Sequence, residues 1–181
     1  MKKIKKTIFI MMLIILLAMS MGGMYYFSSQ DGNTSSVQSN TVIDIIEEIR
    51  DKVTLKNKEL IKIKDTIINN LRGYGKSFVV RKAAHFGIYA VIGGTMLIII
   101  YLLSKRVIFS ACISFVITFL YAVFDEKRQL SVTGRSGSLR DVFIDSSGAL
   151  LAISILVFIF MFYKWINLIL NKYRKIKNKS H

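Results

Sequence analysis

AAHFGIYAVIGGTMLIIIYLL, from Ala83 to Leu103, contains no Lys, Arg, Asp or Glu. A helix of about 20 apolar residues crosses roughly 30 Å of hydrocarbon, and a soluble domain has no surface on which to lay one. Working outward, three more runs have the same character. Thr7 to Phe27 precedes it, Val107 to Phe124 follows a short Ser104-Lys105-Arg106 turn, and a fourth extends from about Val142 to Tyr163. Across the 181 residues, 52% are hydrophobic and proline is absent. The expected fold is an all-α membrane protein, a four-transmembrane-helix bundle.

The formal net charge of +15 would suggest nucleic acid in a soluble chain. Here the basic residues are divided among segments flanking the apolar runs, where they orient spans and meet lipid headgroups. No aromatic RNA-binding motif or zinc-finger spacing accompanies them, so no nucleic-acid partner is expected. The single Cys112 lies within a span and can form no intramolecular disulfide. His181 is the last residue, which leaves imidazole chemistry to His85.

Lys2, Lys3, Lys5 and Lys6 resemble the basic start of a signal peptide. The apolar run behind them is longer than a usual signal core, and Ala18-Met19-Ser20 is a weak cleavage match, so the first span reads as retained. These lysines, and a tail carrying Lys164, Lys172, Arg174, Lys175, Lys177 and Lys179, place both termini in the cytoplasm of a multi-pass cell-membrane protein. Four segments follow from this: residues 1–27, a basic tip and first span; 28–82, an extracytoplasmic segment; 83–163, a core of three spans; and 164–181, a basic cytoplasmic tail.

Within the extracytoplasmic segment, Ser28 to Asn40 is rich in Ser, Asn, Gly and Gln and reads as linker. Thr41 and Asp44 then match a capping box. Ile46, Ile49, Val53, Leu60, Ile63, Ile67 and Leu71 recur at mostly helical spacing until Gly73 and Gly75 end the pattern. This predicts an extracytoplasmic amphipathic helix or hairpin over 41–71 lying on the membrane surface. Homo-oligomerisation through 41–71 is the alternative.

Three spans carry polar stripes. Lys82, His85 and Tyr89 lead to Gly93 in the second; Ser114, Thr118, Tyr121 and Asp125 line the third; Asp141, Asp145, Gly148 and Ala152 line the fourth. Spacings of three and four put each set on one side of its helix, and an ionisable side chain there is far better placed against protein than against lipid. Asp125-Glu126 and Gln129 lead into a Gly134-Arg135-Ser136-Gly137-Ser138 loop, and Ser138 with Asp141 makes a second capping box. Small residues, backbone amides and Arg135 beside a helix start suit an anion. The plainer alternative is a turn in which Arg135 pairs with a carboxylate.

His85, Asp125, Glu126 and Asp141 are the candidates for acid–base chemistry. Lys82, Tyr89, Gln129, Arg135, Ser138 and Asp145 are the candidates for ligand binding. A lone histidine is more often structural, fastening helices through Asp125 or Asp141. A metal would need three or four convergent ligands, which spacing cannot show, so no metal and no cofactor are assigned. No Pro-Ser-Gly-His, H-E-x-x-H or G-x-S-x-G motif is present.

Arg81-Lys82-Ala83-Ala84-His85-Phe86 with Tyr89 and Gly93 resembles the lysine–histidine–tyrosine motif of the VanZ-like membrane proteins. Asp125-Glu126, Gln129, Gly134-Arg135, Ser138, Asp141 and Gly148 resemble that family's second signature, and Phe27-Ser28-Ser29-Gln30 its start. Asp145 stands where the family pattern has Asn, Ala152 where it has Gly, and the loop lacks a Pro before Gly134. The resemblance implies a cell-envelope protein linked to low-level resistance to teicoplanin-type lipoglycopeptides. Joined to the polar stripes, it leads to an outer-leaflet site that binds membrane lipids or anionic envelope groups. The alternatives are a membrane-embedded enzyme acting on an envelope lipid through His85 and the carboxylates, and a structural membrane partner.

Overall fold

A computed structural model describes residues 2–54, 75–135 and 137–177, and all its regular elements are α-helices. α1 spans Lys2–Ser29, α2 Gly32–Thr54, α3 Lys76–Ser104, α4 Val107–Gln129 and α5 Leu139–Lys177. Four of them contain a stretch long and apolar enough to cross a membrane: Ile4–Ser29, Ser77–Ser104, Val107–Gln129 and Leu139–Arg174. The chain is a multi-pass membrane protein. Exposed apolar side chains such as Phe9, Ile14, Leu120, Phe124, Phe143 and Phe158 would be untenable in water, and in lipid they cost nothing.

Lipid gives helices no hydrophobic reason to associate, so the bundle closes through small residues and polar contacts. α3, α4 and α5 form its centre; α1 packs on α3 and α4, and α2 on α3. The α3–α5 seam is built for close approach. A Cβ at Gly148 would meet the Phe86 carbonyl oxygen at 2.2 Å, and one at Gly93 would meet the Ala149 Cβ at 2.9 Å. Farther along, Gly94 faces Ala152 and Leu156. Residue numbers rise together on both helices, so α3 and α5 run parallel, as the second and fourth crossings of a membrane must. α4 offers a seam of its own: Ser110, Ser114 and Thr118 are fully buried, and each hydroxyl donates to the carbonyl four residues back, at 2.7, 2.6 and 2.8 Å. Ser110 also meets the Ser104 hydroxyl at the end of α3, at 2.9 Å, whereas Ser114 and Thr118 bond within α4. Met24, Tyr89, Ala122 and Val142 form a small core that ties α1, α3, α4 and α5 together.

α2 corrects the reading of the segment before it. Residues 32–40 are helical, not linker, and Asp31 caps the helix by accepting the Thr34 amide at 2.7 Å. Thr41 lies inside this helix with its hydroxyl donating to the Val37 carbonyl, so Thr41 and Asp44 form no helix start. The physical reason is packing: Ser35 and Ser39, one turn apart, are buried on α2 and let it lie close to its neighbours. Val42, Ile45, Ile46 and Ile49 remain exposed. Residues 55–74, which hold most of the expected amphipathic stripe, lie outside the described residues, as do Ser136 and the end of the tail.

The ends of the spans differ in chemistry. At one end Tyr101 stacks on Phe160 with centroids 4.5 Å apart, and Lys105 and Lys164 lie over its ring at 5.7 and 5.6 Å. Tyr163 and Trp165 are exposed beside them, the composition of a membrane interface. Tyr163 follows Asp145 by 18 residues, which is roughly 27 Å of helix at about 1.5 Å per residue. The carboxylates therefore sit near the opposite boundary of the hydrocarbon.

Candidate functional site

Three helices, a loop and the end of α1 build this opposite boundary. α3 brings Arg81, Lys82, His85 and Tyr89 to it, α4 brings Asp125, Arg128 and Gln129, and α5 brings Asp141 and Asp145. Lys82 Nζ pairs with Asp141 Oδ2 at 2.5 Å. One turn deeper, His85 Nδ1 stands 3.6 Å from Asp145 Oδ2, too far for a hydrogen bond. His85, then, approaches Asp145 and not Asp141, which the lysine has taken.

Asp125 is the best-held carboxylate. Its Oδ2 accepts from Ser28 Oγ at 2.6 Å and Gln129 Nε2 at 3.0 Å, and its Oδ1 from Arg128 at 3.1 Å. Arg128 is itself fixed from α1: it donates to the Tyr25 carbonyl at 2.8 Å and to Ser29, and lies 3.9 Å over the Tyr25 ring. Tyr121 adds a further tie through its hydroxyl, which donates to the Met21 carbonyl at 2.7 Å. Ser28 and Arg128 were not among the expected site residues. A serine at the end of the first span and an arginine three residues after an aspartate were the available signals.

Arg135 donates to Gln129 Oε1 at 3.2 Å and to the Phe27 carbonyl at 3.0 Å. Both acceptors are neutral, so among the described residues its charge is held in place without an ion pair. Burial first, and then the neighbouring Arg81 charge, push its pKa down from the ordinary value, yet a guanidinium stays protonated at neutral pH. Gly134 bends the loop with φ of 75°, and its carbonyl stands so close to Gly32 that a Cβ there would meet it at 2.4 Å. The Arg135 amide donates to the Val132 carbonyl and the Ser138 amide to Glu126 Oε1, so neither is available to an anion.

Ser138 and Glu126 part from the other expected residues. Ser138 Oγ accepts the Arg140 amide at 3.2 Å and caps α5, while Glu126 takes the Ser138 amide that a reciprocal capping box would give to Asp141. Both line a separate cavity with Val123, Leu130 and Val142.

Two cavities meet at the remaining residues. One, of about 210 Å³, is mostly apolar: Met24, Phe27, Val42, Val80, Ala84 and Ile88 line it with Ser35 and Ser39. The other, of about 90 Å³, is polar and lined by Lys82, Gln129, Gly134 and Asp141. Arg81, His85 and Arg135 belong to both. At the inner end His85, Asp125 and Asp145, all buried, each offer a ligand atom, and these atoms lie within 4.8 Å of one another. No spacing in the sequence foretold that convergence, because the three residues come from three helices.

The sequence profile of the VanZ/LLP1 family matches residues 9–163. No curated protein and no solved structure matches the chain.

Proposed function

The chain belongs to the VanZ/LLP1 family, and on that premise we propose that it protects the cell envelope by holding an anionic amphiphile at this boundary, contributing to low-level resistance to teicoplanin-type lipoglycopeptides. The observation that carries the reading is the joined pair of cavities sharing Arg81, His85 and Arg135. An apolar cavity beside a smaller basic one suits a molecule with a hydrocarbon part and an anionic head. Arg135 is the anchor: its planar fork is positioned by Gln129 and the Phe27 carbonyl, and a phosphate or carboxylate can meet its remaining donors. The lysine-rich start and tail support an arrangement with both termini cytoplasmic and the cavities at the outer leaflet.

The test is growth in teicoplanin of cells expressing Arg135→Gln or Arg135→Lys, with the protein level measured in the same membranes. Arg135→Gln should abolish protection at unchanged protein level. Arg135→Lys should keep only part of it, because a point charge does not replace the fork. Full protection by Arg135→Gln would overturn the reading.

A further inference from the structure

Asp145 is only 1% exposed, and neither of its oxygens has a hydrogen-bond partner among the described residues. A buried carboxylate at this depth costs several kcal/mol unless a cation or a proton compensates it. The other acids have what it lacks: Asp141 has Lys82, and Asp125 has Arg128, Ser28 and Gln129. Around Asp145 two more buried polar atoms are unpartnered, His85 Nδ1 and the Tyr89 hydroxyl. An imidazole and two carboxylates, those of Asp125 and Asp145, thus come together on three helices, and neither Asp145 nor His85 Nδ1 has a hydrogen-bond partner among the described residues.

We propose that His85, Asp125 and Asp145 bind a divalent transition-metal ion of the zinc class. Ligand atoms held about 2.1 Å from a tetrahedral ion stand roughly 3.4 Å apart. These three lie within 4.8 Å of one another, and the two with unpartnered atoms, His85 and Asp145, are tied to nothing among the described residues that would keep them from closing on Asp125. One nitrogen and two oxygens suit zinc or manganese, whereas calcium and magnesium favour more oxygens and no imidazole. Asp125 keeps a free lone pair on Oδ1, and its bonds to Ser28, Gln129 and Arg128 hold it in position as metal-bound carboxylates usually are held.

The experiment uses the full chain in lipid nanodiscs, stripped with a chelator and then exposed to Zn²⁺, Mn²⁺ or Mg²⁺ alone. Metal content after gel filtration and Tm are both read. Zn²⁺ or Mn²⁺ should be retained at a single ion per chain and raise Tm, with Mg²⁺ far weaker. Asp145→Asn and His85→Gln should each lower the affinity at least tenfold and abolish the rise in Tm. Asp145→Asn removes an unpaired buried charge, so its metal-free form should be no less stable than the metal-free wild type, and loss of binding cannot be put down to misfolding. Failure of all three ions to be retained or to raise Tm would overturn the site and leave a shared proton as the answer to Asp145. Equal retention by Asp145→Asn would also overturn it, by placing the metal elsewhere.

Discussion

Asp31 shows how one side chain can start a helix that composition conceals. It is fully exposed, and its carboxylate accepts from Thr34, whose amide stands 2.7 Å away. Those bonds, the side-chain one first and the backbone one second, with the Arg135 charge behind them, hold its pKa below the usual carboxylate range. The charged form is the one the fold favours, so the cap is fully present above the ordinary carboxylate pKa and is lost as pH falls through the lowered one. Followed by NMR, the Thr34 amide should titrate with a midpoint below the usual carboxylate range, and Asp31→Asn should remove the titration while keeping the cap. A midpoint at or above that range would contradict the bond. The same scale explains what sequence reading captured of the site. Lys82, His85, Asp141 and Asp145 were legible because an ionisable group inside a span has few places to go. Ser28 and Arg128 were not, because each makes its contact about a hundred residues away along the chain.

At the scale of the element, the four spans were legible from length and hydropathy alone, since lipid imposes both. α2 was not. Ser, Asn and Gly are weak helix formers, and a segment rich in them becomes helical only where packing outweighs propensity. Buried Ser35 and Ser39 supply that packing, an effect the sequence cannot display before the neighbour is known. The α3–α5 seam follows the same logic in reverse, since its glycines were visible but their partners were not. Gly148→Ala would drive a Cβ into the Phe86 backbone, so α3 and α5 must separate. A loss of about 1–3 kcal/mol is expected, the usual cost of overpacking. Gly87→Ala is the control, because a Cβ there meets nothing within 4 Å, and it should leave stability unchanged or slightly improved. Equal thermal stability of the two variants in nanodiscs would show that the seam is looser than its geometry.

For the whole molecule, what the site can meet depends on which way the bundle stands in the membrane. One end carries Tyr101, Lys105, Lys164 and Trp165; the other carries the carboxylates, Arg135 and the two cavities. Basic residues flanking spans are retained on the cytoplasmic side, and the acids that accompany the other basic residues contribute little to orientation. In a Cys112→Ala background each introduced cysteine is the sole thiol of the chain. Asn33→Cys and Ser131→Cys, both at exposed positions beside the cavities, should react with a membrane-impermeant maleimide on intact cells. Asn171→Cys, exposed on the far end of α5, should react only after the membrane is opened. The reverse pattern would put the cavities in the cytoplasm, where an antibiotic acting outside the cell never meets them, and the envelope reading would have to be given up. The α3–α5 seam and the metal site would survive that result, because both depend on how the helices pack together and not on which side of the membrane they face.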